Sequence, residues 1–290
     1  MKPKFLLLII ICISHTLFSQ TSNLIINPNI QLPKDSVVSI QLIASLNKFL
    51  VEKEKNNSEN SLIWNQERIE TYILLDELKE MEKSEKLKND FFYNPYLTNL
   101  VELNDSTFLI QFSYLAINEN EPLFRASFQL IAHKNKTEFL FSSPLIKNAV
   151  SWKTKEIGNS MFYFKADLNI EKAMEYDEKL TLFDTKLKAE NKKTIIYCCD
   201  DFPEVLKMIG VEYKSDYNGY DYGNLSSQDK NKFLLVIGNK NGTFNNFDPH
   251  DLWHERLHNV ISTSIINRPI DEGCAYLYGG GVGYELERYF

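Results

Sequence analysis

Residues 254 to 258 read His-Glu-Arg-Leu-His, and Glu272 follows fourteen residues after the second histidine. On a helix, positions i and i+4 share one face, about 6 Å apart. Two imidazoles so placed can both reach one Zn²⁺ with Zn–N bonds near ~2.0 Å. Glu255, beside the first histidine, sits at the rim of that face, where it can take a proton from a water held by the metal. Zinc needs a third protein ligand, and Glu272, in Asp-Glu-Gly-Cys-Ala-Tyr, is the nearest candidate.

A second register overlaps the first. His250-Asp251-Leu252-Trp253-His254 has the same histidine spacing. Its first histidine falls in the opening turn of the helix, where the positive dipole end disfavours a cation. His254 and His258 lie deeper, and Glu255 reaches farther than Asp251, so the later register is expected. His250 is then left one turn before His254, in contact with substrate or without a role.

The motifs carry a resemblance. His254-Glu255-Arg256-Leu257-His258 followed by Asp271-Glu272-Gly273-Cys274-Ala275-Tyr276 resembles the gluzincin class of zinc metallopeptidases. The resemblance spans roughly residues 166–290 and is concentrated in the two motifs. It implies Zn²⁺ held by His254, His258 and Glu272, Glu255 as general base, and a peptide or protein substrate. Tyr276 and Tyr278 are candidates for stabilising an oxyanion, or for packing an amphipathic helix. Asp271 is a candidate for orienting a ligand, or an ordinary acid at a helix start. The class carries a helical segment after its glutamate ligand, so the peptidase part here is expected to be either C-terminally truncated or minimal.

Composition bounds the rest. Lys2 and Lys4 precede an apolar run from Phe5 to Ile13, the pattern of a signal peptide over 1–20, cleaved near Ser19 or Gln20. Export to the periplasm or the exterior is expected. Loss of two lysines and no acid takes the formal charge from −7 to −9. That balance argues against nucleic acid and anionic membrane surfaces as partners, and no second long apolar run suggests a membrane span. Beyond the signal segment the cysteines are Cys198, Cys199 and Cys274, an odd number. Adjacent Cys198 and Cys199 point to opposite faces of a strand, which suits core packing better than a disulfide framework.

The elements that must position the motifs read as α+β. Asp35 and Ser36 precede a helix with Leu42, Ile43, Leu46, Phe49 and Leu50 on one face, and a second helical pattern covers 67–86. Phe108, Ile110, Phe112 and Tyr114, then Phe124, Ala126, Phe128 and Leu130, alternate with period two, as in strands with one buried face. Further strands are expected at 137–142 and 160–165. This order of elements resembles a helix on a curved antiparallel sheet of the NTF2-like or cystatin-like kind. Residues 21–165 are read as that domain and 166–290 as the peptidase-like one. The second part is expected to contain a helix capped by Asn169 and a buried strand at 194–199. A helix between Pro203 and Gly210, a strand at 233–237 and a helix capped by Asp248 follow. The Tyr-rich loop 216–222 is a candidate cleft edge. A non-catalytic exported binding protein with a degenerate or truncated peptidase-like part is the rival to the enzyme.

Overall fold

A computed structural model describes residues 24–238 and 242–280. The expected signal segment and the chain beyond Gly280 lie outside the described residues. Among the described residues no helix is long and apolar enough to cross a membrane. The fold is α+β, with helices packed on two mixed sheets.

Helix α1 (Ser36–Glu52) begins where the Asp35 carboxylate accepts the Val37 and Val38 amides, at 2.8 and 3.3 Å. Leu42, Leu46, Phe49 and Leu50 form its buried stripe. Helix α2 (Arg68–Leu78) stops well short of residue 86. Glu80 adopts a left-handed φ of 60°. Beyond it the charged stretch folds into turns, with the Ser84 amide donating to the Asn89 carbonyl at 2.8 Å. After Met81 this segment has no apolar stripe to hold further helical turns on the core.

The first sheet is built on a meander of β2 (Asn94–Asn104), β3 (Thr107–Asn118), β4 (Glu121–Asn135) and β5 (Glu138–Ser142), with β1 (Ile25–Ile26) parallel to β2. Phe108, Ile110, Phe112 and Tyr114 are buried as their alternation requires, and Ala126, Phe128 and Leu130 meet them from β4. Phe124 does not. The pairing shifts between Tyr114↔Ala126 and Leu115↔Phe124, so Arg125 is an extra residue in β4. Such a bulge reverses the faces of all residues beyond it. Phe124 therefore turns outward, 46% exposed, and stacks on Tyr213 with ring centroids 5.0 Å apart.

After the helical turn α3 (Leu145–Asn148), strands β6 (Lys153–Ile157) and β7 (Ser160–Phe164) start the second sheet. Helix α4 (Ile170–Leu187), capped by Asn169, crosses from β7 to the parallel strand β8 (Lys193–Cys199). Helix α5 (Phe202–Ile209) and β9 (Val211–Lys214) follow. Then β10 (Gly223–Gln228) and β11 (Lys232–Gly238) complete the order β10-β11-β8-β7-β6. The two sheets exchange strands across residue 165. β6 and β7 lie in the second sheet, and β9 returns to pair with β4 in the first. Gly210, at φ 103°, makes the turn into β9; a Cβ there would lie 2.5 Å from the Gln129 carbonyl oxygen.

The second sheet separates two cores. Tyr197, Cys199, Leu234 and Val236 join the core shared with the first sheet, α2 and α5. Ile196, Cys198, Phe233 and Leu235 join the other, against Ala173, Tyr176, Leu180 and Phe183 of α4. The adjacent cysteines thus face opposite cores, both free and buried. Burial pushes the Cys198 thiol up to about 12, which suits a packing residue and not a nucleophile.

Candidate metal centre

Helix α6 (Pro249–Val260) covers the second core. Asp248 caps it by accepting the His250 amide at 2.9 Å, and Pro249 occupies its first turn, where no amide is needed. Leu252 and Trp253 are buried on its inner face, with the Trp253 ring edge-on to Phe183 of α4 at 5.4 Å. Helix α7 (Arg268–Gly279), capped by Asn267, returns antiparallel along α6. The helices touch at Gly279, where an added Cβ would lie 2.6 Å from the His250 Cα. The contact aligns the acids of α7 with the histidines of α6.

His254 is the hub. Its Nδ1–H donates to Asp271 Oδ1 at 2.8 Å, which leaves Nε2 as a bare acceptor. That Nε2 lies 3.1 Å from His250 Nε2. Glu272 presents Oε2 at 3.3 Å from His250 Nε2 and Oε1 at 3.6 Å from His254 Nε2. On the other side, Asp271 Oδ2 accepts from His258 Nε2 at 3.1 Å.

Among the described residues two groups bring three donor atoms within 4.8 Å of one another: His250 with His254 and Glu272, and His254 with His258 and Asp271. The set read from the sequence, His254, His258 and Glu272, is divided between them. Helix geometry explains the division. Asp271 and Glu272 are successive on α7 and point about 100° apart. Only one of them can face the outer pair of histidines, and Glu272 does. Asp271, buried, lies toward His258.

The first group fits a zinc ion. A tetrahedral site with bonds of about 2.0 Å has donor–donor edges of about 3.3 Å; the two imidazole nitrogens are 3.1 Å apart, and the Glu272 carboxylate approaches them through different oxygens, at 3.3 and 3.6 Å. Two imidazole nitrogens facing each other need a proton or a cation between them. His250 Nδ1 is buried without a partner whichever of the two lies between the rings. Asp271 behind His254 supplies the carboxylate–histidine pairing that fixes the tautomer and orientation of metal-ligating histidines.

Glu255 is elsewhere. It lines a cleft of about 340 Å³ between α6 and β10 with Asp251, Ser226 and Tyr176, and none of the imidazoles borders that cleft. Burial pushes its carboxyl up to about 7, against the lowering effects of the Ser226 hydroxyl and of Arg256. An acid with a raised native pKa favours folding at low pH, and that contribution is lost as pH rises through the native value. Glu255→Gln is therefore expected to match wild-type stability near pH 4. Near pH 8 it should exceed it by about 1–3 kcal/mol, since a tenfold change in proton affinity is worth about 1.4 kcal/mol and water still reaches part of the side chain. Urea titrations of both proteins at the two pH values measure this; equal gaps at pH 4 and pH 8 would contradict it.

Of the tyrosines, Tyr276 stays at the centre, its ring 4.7 Å from that of His250. Tyr278 packs under Trp253 at 4.7 Å and beneath the Lys186 ammonium. The loop 216–222 is on the far side of the second sheet. There Tyr217 donates to Glu77 and packs edge-on to Phe202. It forms no edge of the histidine cluster. The contributions of His250 and Asp271 were visible in the sequence only as alternatives, since spacing alone does not say which α7 acid meets which histidine. Comparison with known proteins adds no relative: no family model, no curated protein and no solved structure matches the chain.

Proposed function

We propose that this protein is an exported zinc-dependent hydrolase of peptide bonds. The observation that carries the reading is the convergence of His250 Nε2, His254 Nε2 and the Glu272 carboxylate, with Asp271 bonded behind His254. His250, His254 and Glu272 would hold the ion, and Zn²⁺ bound by three protein groups supplies a Lewis acid with an open position. Asp271 keeps His254 in the tautomer that offers Nε2. Glu255, with its proton affinity near neutrality, suits exchange of a proton at the carboxyl. Among the described residues β10 ends the second sheet, beside α6, and a strand at a sheet edge can pair with an extended peptide. The apolar run after Lys4 supports export.

The purified protein should contain about one zinc per chain and cleave members of a peptide library. Glu255→Gln should keep the zinc and lose cleavage by roughly a hundredfold or more, the usual scale of a general base. One observation favours the rival reading, a metal-binding exported protein without turnover: Glu255 borders a cleft that contains no imidazole. Zinc at full occupancy with no cleavage by the wild type would select that rival; protein without zinc would remove both.

A further inference from the structure

His254 offers a nitrogen to each of the two donor groups. Its Nε2 faces His250 and Glu272, while its Nδ1 faces Asp271, whose other oxygen meets His258. The zinc ion proposed for the first group leaves the second without one. That second group, His254 with His258 and Asp271, brings its three donors within 4.8 Å of one another, as the first does. Its carboxylate is inside the protein and its mouth is open: Asp271 is 7% exposed and His258 40%. An ion entering past His258 meets a carboxylate already in place.

The present hydrogen bonds already hold these ligands in position. Asp271 Oδ1 lies 2.8 Å from His254 Nδ1, and Oδ2 lies 3.1 Å from His258 Nε2. Donors around one tetrahedral ion are about 3.3 Å apart, so both contacts open only slightly when metal bonds replace hydrogen bonds. Both nitrogens of one imidazole can ligate, and ions on its two sides stand about 6 Å apart. The charges allow it. Among the described residues neither Asp271 nor Glu272 pairs with a lysine or an arginine; each has only imidazoles for partners. With an ion in each group, Asp271, Glu272 and a deprotonated His254 set three negative charges against four positive. One positive charge is left over, on a chain whose formal charge is −7.

We propose that the centre is dinuclear. A second divalent transition ion is held by His254 Nδ1, His258 Nε2 and the Asp271 carboxylate, and His254 bridges the two ions as an imidazolate. This rests on the first group being a zinc site, because a bridge needs an ion on each side. As the Nδ1–metal bond forms, the Nδ1 proton leaves to solvent. The second ion displaces that proton and the first does not, so the first group fills first, and protein purified with one zinc takes up another as zinc is raised. The test is equilibrium dialysis of the chelator-stripped full chain against rising free Zn²⁺, with metal analysis. Wild type should reach two ions per chain, His250→Ala and His258→Ala one each. His258 is half-exposed, and His258→Ala should fold as the wild type does. Loaded with Cu²⁺, wild type should lose most of the electron paramagnetic resonance intensity of two isolated ions, since an imidazolate bridge couples their spins; His258→Ala should show the full signal of one. A single ion per wild-type chain would overturn the proposal. The variants then tell which reading fails with it: loss in His250→Ala leaves the zinc site standing, and loss in His258→Ala removes it. Two copper ions with full intensity, or a second ion retained by His258→Ala, would also overturn it.

Discussion

Asp184→Ala is expected to destabilise the protein by about 3–5 kcal/mol, the usual cost of stranding one partner of a buried ion pair. Arg256 Nε and Nη2 both donate to Asp184 Oδ1 at 2.7 Å, with the two side chains 3% and 2% exposed. Arg256 is the third residue of the His-Glu-Arg-Leu-His stretch, so this pair bolts α6 to α4 beneath the histidine cluster. Its net contribution is a different matter. Asp184 Oδ2 and Arg256 Nη1 have no hydrogen-bond partner, and burial raises the Asp184 carboxyl above its ordinary range in spite of the guanidinium. Desolvation is thus only partly offset by the pairing. Replacing both partners with apolar residues of similar size, as in Asp184→Leu with Arg256→Met, should recover most of the loss. Urea unfolding of the two variants and the wild type decides it. A single variant that unfolds at the wild-type midpoint would show that the pair is not buried in solution.

His254→Ala should abolish zinc binding under any pairing of these residues, because His254 belongs to both groups of donors. The informative comparison is between its neighbours. Structural zinc sites with four ligands bind with about 10–16 kcal/mol, so loss of one ligand costs about 3 kcal/mol, or roughly a hundredfold in affinity. His250→Ala should show that full loss. His258→Ala should show less, because His258 meets Asp271 and lies away from the Glu272 carboxylate. Asp271→Asn should cost about 10–100-fold, as removal of an orienting partner does. Competition titrations against a zinc chelator measure all four. The opposite order, with His258→Ala worse than His250→Ala, would assign the ion to the later register and leave His250 outside the ligand set.

Much of the fold was legible because its signals are local. The Asp35, Asn169 and Asp248 caps each have their side chain on a backbone amide of the first turn. Alternation in β3 and the doublet Cys198-Cys199 came out as read, since side chains on a strand must alternate. Legibility failed where a long-range or backbone event intervened. The bulge at Arg125 turned Phe124 outward, and no residue type announces a bulge. The α2 pattern ended at Leu78 because later residues had nothing apolar to dock. β9 joined the first sheet, a pairing between residues more than eighty positions apart in the chain.

The candidate site divides the same way. Residue types and spacing alone determined that three histidines lie on one helix and that acids follow on a second. They also determined the Asp248 cap that starts the first of these helices. Only the tertiary structure decided the partnership. The close contact of α7 with α6 at Gly279 sets the phase between the helices. That phase turns Glu272 to His250 and His254, and Asp271 to His254 and His258. Glu255 faces β10, and its surroundings come from residues of α4 and the second sheet that lie far away in the chain. A helical repeat fixes which residues share a face; how two faces meet depends on packing between helices, which spacing within one helix does not encode.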